Sequence, residues 1–403
     1  MAIFAQPQFI LHLLYRQPPC KGPPFRVTIH PVLTRPLRPF EVSSAAHLRP
    51  KIAMTENHQK ADFLGVFMGG GRYQEVAQGP VKFVLSQITI YADGTSAVKS
   101  LPSPMFPHGF AVDPQDTNRL LAFEKIGGGA AEYDLARWQV TRTLTPQPHR
   151  LFYGHGVFSA DAKLLYTTET DTADSKGYIG IRDAQTLAYL GDFPTYGDHP
   201  HDCQLIDGGN TLVVTNGGGD QASRHLGNLS YISIAEQKLI QQYPVSDERF
   251  NAGHVAIEAL GVALVVSAPR RGLSTDNLGA IHVHKAGKKL QRLSQPSAVT
   301  ARLTGEALSA LMVPEQDLIV VTHPTPGFVT CWSIDTLKLR KAIELPFARG
   351  LALTCNNDAF LVSFGSNGCA RRYTTDTLEA VEQSTVENTL ISGSHLINWQ
   401  NFQ

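Results

Sequence analysis

The chain has 403 residues, and its 35 basic and 35 acidic side chains give a formal net charge of zero. That balance gives no sign of nucleic acid or an anionic membrane as a partner. Hydrophobic residues make up 42% and charged residues 17%, as in soluble globular proteins with a large core, and 34 glycines favour strands and turns. No apolar run reaches about 18 residues, so no transmembrane helix is expected.

The first 60 residues differ in composition from the rest. They are rich in proline and basic residues and lack strand or helix periodicity, which predicts a disordered or extended segment. The first twenty resemble a secretory signal weakly, because His12 and Arg16 interrupt the apolar stretch and no small-residue cleavage site follows. We interpret them as a poor signal or as translated sequence before the real start, with Met54 as the alternative start.

The five cysteines give no framework for the fold. Their number is odd and no CxxC spacing occurs, so neither a disulfide network nor a zinc knuckle is indicated. Cys355 and Cys369 are a candidate pair, but buried free thiols are the preferred interpretation.

From about residue 61 the chain repeats a unit of roughly 45 residues. Each copy begins with a polar residue beside glycine or proline, followed by a short apolar strand, a turn and a stronger apolar strand. The clearest copies read PHGFAVDPQDTNRLLAFE, GHGVFSADAKLLYTTE, PHDCQLIDGGNTLVVTN, GHVAIEALGVALVVSAP, GEALSALMVPEQDLIVVTH and RGLALTCNNDAFLVSFG. Two further strands follow in each copy, such as GYIGIRDA and LAYLGDFP after the second. Four strands per unit predict the blade of a β-propeller.

The polar residues that open the units set the number of blades. They are His108, His155, His201, His254, Glu306, Arg349 and His395. Residues 61–103 supply three strands of a first blade, and residues 394–400 (SHLINWQ) supply its missing innermost strand. The sequence therefore predicts an all-β, seven-bladed propeller over residues 61–403, with four-stranded blades and a ring closed by the C-terminal strand.

The first strand of each blade lines the central channel of a propeller, so the seven opening residues should converge at one mouth. The second strand runs back to the same face, and the ends of these strands should join the mouth. Those ends carry Glu124, Glu169, Asn216, Arg270 and His323. Imidazole and carboxylate groups are ligands for iron, copper, zinc or manganese, so the five opening histidines are candidate metal ligands. His199, in HPHD (199–202), is a further candidate.

A structural interpretation of the same histidines stays open. In WD40 propellers a GH pair opens each blade, and its histidine only hydrogen-bonds within its own blade. Here GH occurs at Gly154-His155 and Gly253-His254, but no WD pair ends a blade. Glu306 and Arg349 break the rule of one histidine per blade, which local loop-holding alone would not require.

The stretch FYGHGVFSADAKLLYTTETDTADSKGYIGIRDAQ, followed by PHDCQLIDGGNTLVVTNGG, resembles a family of bacterial seven-bladed propellers of unknown function. The resemblance covers roughly residues 61–400 and is specific over 152–218. It places His155, Glu169, His201 and Asn216 at matching motif positions, with Asp202 where the family tends to have glutamate.

The resemblance implies periplasmic iron handling, because such proteins are usually exported and commonly encoded beside imelysin-type and di-haem proteins of iron uptake. The absence of a credible export signal leaves a cytoplasmic location open. A more distant similarity to 6-phosphogluconolactonase-type propellers concerns the fold, and fold does not carry function.

Three functional hypotheses follow. The first is a metal- or ligand-binding propeller linked to bacterial iron handling, with iron, copper or zinc at the histidine-rich mouth. The second is a metal-dependent, lactonase-like hydrolase at the same mouth, with Glu124 or Glu169 as the base. The third is a protein-interaction platform whose partners bind across the top face. A platform predicts histidines that point into their own blades and a contiguous exposed apolar patch.

Overall fold

The computed structural model describes residues 63–402, with the exceptions of 76–78, 221–224, 259–260 and 367. Residues 1–60, for which the sequence predicts a disordered or extended segment, lie outside the described residues, as does the candidate start at Met54. Nearly all regular structure is antiparallel β-sheet, because short apolar strands alternate along the chain with turns rich in Gly, Asp and Asn.

The described strands form seven sheets arranged as blades; six are built from consecutive strands, and the first also takes in the last strand of the chain. The strands of the first four blades, apart from one C-terminal strand, are β1 (Phe63–Tyr73), β2 (Lys82–Tyr91), β3 (Ser96–Ser103), β4 (Gly109–Val112), β5 (Arg119–Phe123), β6 (Ala130–Asp134), β7 (Gln139–Leu144), β8 (Arg150–Phe158), β9 (Leu164–Asp171), β10 (Lys176–Asp183), β11 (Tyr189–Asp198), β12 (Pro200–Ile206), β13 (Thr211–Asn216), β14 (Asn228–Ser233) and β15 (Lys238–Pro244).

The remaining blades use twelve further strands, the last of which returns to the first blade. These are β16 (Val255–Ile257), β17 (Ala263–Ser267), β18 (Ala280–His284), β19 (Gln291–Arg292), β20 (Ala310–Val313), β21 (Leu318–His323), β22 (Phe328–Trp332), β23 (Leu339–Glu344), β24 (Leu351–Leu353), β25 (Ala359–Phe364), β26 (Cys369–Thr374) and β27 (Leu396–Asn398). The only described α-helix is the single turn Ser297–Thr300, and 3₁₀ turns span Asp207–Gly209, Pro314–Gln316 and Trp399–Phe402.

The ring closes as the sequence predicts. Strand β27 pairs antiparallel with β1, with Met68 opposite Ile397 and Phe67 opposite Asn398. The side chain of Asn398 also accepts a hydrogen bond from the backbone N–H of Val66 at 3.2 Å and donates one to the Leu353 carbonyl at 2.9 Å. The two ends of the propeller therefore share one blade, and the innermost edge of that blade is covered.

The seventh blade is the least regular. Its sheet has three strands, β24 to β26, and the fourth predicted strand is reduced to two isolated bridges, Tyr373 with Ala380 and Ala370 with Val386. The chain between residues 380 and 386 still fills the outer position. The other six sheets contain four strands each.

The core lies between the blades. Seven apolar clusters of buried residues each join two neighbouring blades around the ring. Cys203 and Cys331 belong to two of these clusters and are free thiols, as predicted. Cys355 and Cys369 are also free rather than paired, but Cys355 is exposed, so the prediction of buried thiols is wrong there. No helix among the described residues is long and apolar enough to cross a membrane.

Candidate metal centre

The five opening histidines meet on the propeller axis. Their ring centroids lie 4.2 to 5.3 Å apart in the nine pairs that are in contact. Four of them, His108, His155, His201 and His254, are 1 to 8% exposed, so water has almost no access to their rings. His395 is half-buried, although its Nε2 atom is buried.

Three of the rings point their Nε2 atoms at one another. The distances between these atoms are 2.8 Å for His201 and His254, 3.2 Å for His254 and His108, and 3.3 Å for His108 and His201. An ion bound at 2.0–2.1 Å with tetrahedral angles would separate neighbouring ligand nitrogens by roughly 3.3 Å. This histidine triangle therefore has close to the dimensions of three ligands on one face of an ion.

Hydrogen bonds at the other ring nitrogens fix the tautomers of two members. Nδ1 of His201 lies 2.8 Å from the Tyr153 carbonyl, and Nδ1 of His254 lies 2.7 Å from the Leu308 carbonyl. A carbonyl oxygen only accepts, so each Nδ1 carries the proton of its neutral ring and each Nε2 presents a lone pair. These bonds reach neighbouring blades rather than the histidine's own blade, which is contrary to the WD40-like interpretation.

The remaining two histidines flank the triangle. Among the described residues, Nε2 of His155 and Nε2 of His395 are buried without a hydrogen-bond partner. The ligand atoms of His108, His155, His254 and His395 all lie within 4.8 Å of one another. That spread exceeds the roughly 3.3 Å of tetrahedral ligands, so we take the triangle as the primary ligand set.

Asp202 orients His155. The carboxylate oxygen Oδ1 of Asp202 lies 3.2 Å from Nδ1 of His155 and accepts the backbone N–H of Cys203 at 2.8 Å, while Oδ2 accepts the backbone N–H of Val255 at 3.0 Å. Burial raises the pKa of Asp202 to about 7, and the two backbone hydrogen bonds limit the rise. A carboxylate behind an imidazole is the usual support of a metal-ligating histidine.

Irregular strand pairing brings these groups together. The β8–β9 pairing shifts register between Phe152 and Gly156, and the β12–β13 pairing shifts between Pro200 and Cys203. Such irregularities re-aim side chains that strict alternation would send to opposite faces of a strand. Gly154, with φ of +120°, lies inside the first of them, and a Cβ there would lie 3.0 Å from the His201 ring.

The cluster is uncharged at neutral pH. Burial lowers the pKa of all five imidazoles, and the charge of Lys125 lowers it further. The pKa of His155 falls to about 3. A set of neutral imidazoles with free lone pairs is prepared to bind a cation other than a proton.

Charged groups also surround the cluster. Lys125 Nζ lies 3.4 Å from Glu306 Oε2. Burial alone would raise the pKa of Glu306, but Lys125 and Arg349 together lower it, so this carboxylate is ionised at neutral pH. Glu306 raises the pKa of His395 and Arg349 lowers it, which places both predicted residues within electrostatic range of the cluster.

The sequence model of the family described as "Protein of unknown function (DUF1513)" matches residues 101–393, well over half of the chain. The chain belongs to this family. Among solved structures, Kuenenia stuttgartiensis hydrazine synthase is similar, with a TM-score of 0.54, 13% identity, and coverage of 76% of this chain and 92% of that chain. At that identity the similarity shows the fold alone. No curated protein matches the sequence.

In this DUF1513 protein, the residues at the ends of the second strands bond to groups outside the histidine cluster. Glu169 is 1% exposed and forms an ion pair with Arg182 at 2.9 Å. His323 bonds Thr330 Oγ1 through Nε2 at 2.9 Å. Each partner lies in the same blade as the residue it holds, so these bonds fix the side chains within their blades.

Two more of these ends hold loops or side-chain networks. Asn216 donates to Asn228 Oδ1 at 2.9 Å and accepts from Thr195 Oγ1 at 2.6 Å. Arg270 donates to the carbonyls of Gly219 and Asp220. Their contacts are those of structural side chains.

Glu124 and His199 were the other candidates. Glu124 is half-buried and accepts the backbone N–H of Gly129 at 3.1 Å, and burial raises its pKa. His199 uses both ring nitrogens, since Nδ1 lies 3.1 Å from the Gly218 carbonyl and Nε2 accepts from Arg271 at 2.8 Å. His199 therefore has no lone pair to offer a metal.

Sequence reasoning missed the roles of two residues. Asp202 follows His201 directly, and a carboxylate next to a candidate ligand was the available signal. Lys125 follows Glu124 at the end of β5, but no pattern in the sequence marks it as a neighbour of Glu306.

Proposed function

We propose that this protein binds a transition-metal ion at the histidine triangle of His108, His201 and His254. The observation that carries the proposal is the 2.8 Å contact between Nε2 of His201 and Nε2 of His254. Both atoms present lone pairs, because both Nδ1 protons are donated to backbone carbonyls. Two opposed lone pairs at that distance repel, and a cation between them converts the repulsion into two bonds.

A proton is a poor substitute for that cation. Burial lowers the pKa of both rings well below the usual value for histidine, and the neighbouring imidazoles lower it further. A metal ion can bond all three nitrogens at once, whereas a proton is shared by at most two of them. The ring of blades holds the ligands in place, so little rearrangement accompanies binding.

The donor set favours a borderline ion. Imidazole nitrogen suits iron, copper and zinc, whereas magnesium and calcium prefer oxygen ligands. We propose iron as the natural ion, with copper and zinc as the competing candidates, because the family resemblance links such propellers to bacterial iron uptake. In that role the protein holds or transfers the ion in the periplasm, with His155 and Asp202 as support.

The hydrolase and platform hypotheses gain less support. Glu169 forms an ion pair with Arg182 inside its blade, so one of the two candidate bases is already bonded to another side chain. The platform hypothesis expects histidines that point into their own blades, whereas these rings contact one another across the axis. No specific feature of the described residues favours turnover over binding.

Elemental analysis by mass spectrometry tests the proposal. The full-length protein is compared with a His201→Ala, His254→Ala double variant and with His149→Asn, which changes an exposed histidine outside the cluster. We expect close to one iron, copper or zinc per chain in the wild type and in the His149 variant, and loss of the metal from a double variant whose circular dichroism shows it folded. Absence of metal from the wild type, even after reconstitution with each ion, would contradict the proposal.

A further inference from the structure

One ion pair crosses the mouth of the propeller. Nζ of Lys125 lies 3.4 Å from Oε2 of Glu306. Lys125 belongs to the blade of β4 to β7 and Glu306 to the blade of β20 to β23, so three blades lie between them on one side of the ring and two on the other. Side chains from blades so far apart meet only by reaching across the axis. We refer to this contact as the mouth ion pair.

Both ends of the mouth ion pair are attached beside histidines of the triangle. The carbonyl two residues before Lys125 accepts the backbone N–H of His108 at 2.9 Å. The carbonyl two residues after Glu306 lies 2.7 Å from Nδ1 of His254 and accepts its proton. Burial is the main cause of the lowered pKa of all five imidazoles, and the charge of Lys125 lowers it further, so its ammonium group is within electrostatic range of every ring. The mouth ion pair therefore lies over the histidine triangle.

An ion reaches the triangle only through a local opening, because His108 and His254 are 1% and 5% exposed. The mouth ion pair is an exposed part of what covers them. The side chain of Lys125 is 43% exposed and that of Glu306 is 28% exposed. Ion pairs with that degree of exposure to water are weak and break readily. The cover over the triangle is therefore easily opened at this contact.

Opening of this contact needs only the rotation of two side chains, because hydrogen bonds hold the backbone at both ends. The backbone N–H of Glu124 donates to the Gly129 carbonyl at 2.9 Å and closes the turn that carries Lys125. Both residues that flank Glu306 donate their backbone N–H groups to carbonyls of the neighbouring blade, at 2.8 and 3.1 Å. Rotation of exposed side chains is fast, so the opening does not require the ring of blades to move.

We propose that the mouth ion pair is the gate through which the metal ion enters and leaves the histidine triangle. While Lys125 and Glu306 are in contact, they shield the bound ion from water and from competing chelators. When they separate, the mouth opens onto the rings of the triangle. The inference rests on the proposed function, because it concerns the exchange of the ion bound there. A gate changes the rates of binding and release by the same factor and leaves the affinity unchanged.

Transfer of Zn²⁺ from the loaded full-length protein to an excess of a chromogenic chelator measures the release rate, and equilibrium competition with the same chelator measures the affinity. The same transfer is run with Cu²⁺ or Fe²⁺ if the protein prefers either ion. The test variant is Lys125→Ala, Glu306→Ala, which removes one charge of each sign and so keeps the net charge beside the cluster. The control variant, Glu75→Ala, Lys82→Ala, removes an exposed pair 2.6 Å apart in the first blade.

We expect release about fivefold faster in the test variant, the factor that corresponds to loss of an exposed ion pair at the upper end of its usual strength. Its affinity should stay within about twofold of the wild type, and the control variant should match the wild type in both measurements. If circular dichroism shows that the test variant is unfolded, Lys125→Met, Glu306→Gln replaces it, with faster release again expected.

The outcomes separate this inference from the proposed function. Equal release rates in the folded variant and the wild type would overturn the gate and leave the metal site standing. A changed affinity with an unchanged release rate would show a purely electrostatic role and would also overturn the gate. Wild-type protein that takes up none of the three ions would overturn the proposed function and the gate with it.

Discussion

The substitution Asp202→Asn removes a titratable carboxyl group and one acceptor from behind a flanking histidine of the cluster. The carboxylate of Asp202 accepts the backbone N–H groups of Cys203 and Val255, and its Oδ1 lies 3.2 Å from Nδ1 of His155. An asparagine has one oxygen and one NH₂ group in the same place. In either orientation, the NH₂ group therefore faces an N–H that the carboxylate accepted.

The size of the effect follows from these contacts. If the NH₂ group takes the place of Oδ1, beside His155, the imidazole turns to its other tautomer, and its Nε2 then carries a proton instead of a lone pair. The buried backbone N–H of Cys203 also loses its acceptor in this orientation. If it faces Val255, one buried N–H loses its acceptor, which costs about 1–3 kcal/mol of unfolding free energy. Because His155 lies beside the triangle as the candidate fourth ligand, loss of the carboxylate behind its imidazole should weaken metal binding by about 10–100-fold, or about 1.4–2.7 kcal/mol.

Competition against a chelator with Zn²⁺, which has no redox chemistry, measures the affinity. Asp113→Asn is the control, because Asp113 is also a buried carboxylate but pairs with Arg119 in another blade. It should lower stability and leave the Zn²⁺ affinity unchanged. Asp202→Asn should have no further effect on affinity in a His155→Ala background. This reasoning would be refuted if Asp202→Asn binds Zn²⁺ within about twofold of the wild-type affinity while His155→Ala binds Zn²⁺ much more weakly.

Three further predictions concern the scaffold. The hydroxyl of Thr322 accepts the Ser309 N–H and donates to the Arg349 carbonyl of the next blade. Thr322→Val should therefore lower the free energy of unfolding, measured in urea, by about 2–4 kcal/mol, and Thr322→Ser should lower it less. Equal losses in the two variants would contradict the role of the hydroxyl. Burial lowers the pKa of His323 to about 3, so the unfolded chain binds the extra proton and stability falls as pH drops below about 6.5. His323→Gln should reduce the slope of unfolding free energy against pH by up to about 1.4 kcal/mol per pH unit. The same slope in the variant and the wild type would exclude the effect. Gly154→Ala, at a positive φ and against two rings of the cluster, should lower metal content in elemental analysis, and full occupancy would show that the rings adjust.

The convergence of the opening histidines could be predicted because it depends only on the repeat. A residue that begins the inner strand of every blade lies at the same height around the axis. His108 and His254 are far apart in sequence, yet their Nε2 atoms are 3.2 Å apart. The ends of the second strands were harder to predict. Glu169 and His323 bond partners within their own blades instead of meeting the cluster.

The sequence alone determined the blade order, the ring closure and which residues lie on the axis. These follow from period-two alternation and a unit of roughly 45 residues, which are local patterns that the chain carries along its length. Six such units, with three strands before them and one strand after them that together complete a seventh blade, leave one compact arrangement that covers the inner sheet edges.

Only the tertiary structure decided which nitrogen of each imidazole faces the axis. That choice depends on carbonyls and a carboxylate from neighbouring blades, such as Leu308 for His254 and Asp202 for His155. These contacts arise from irregular strand pairing and from distances across the ring, and neither leaves a local pattern in the sequence.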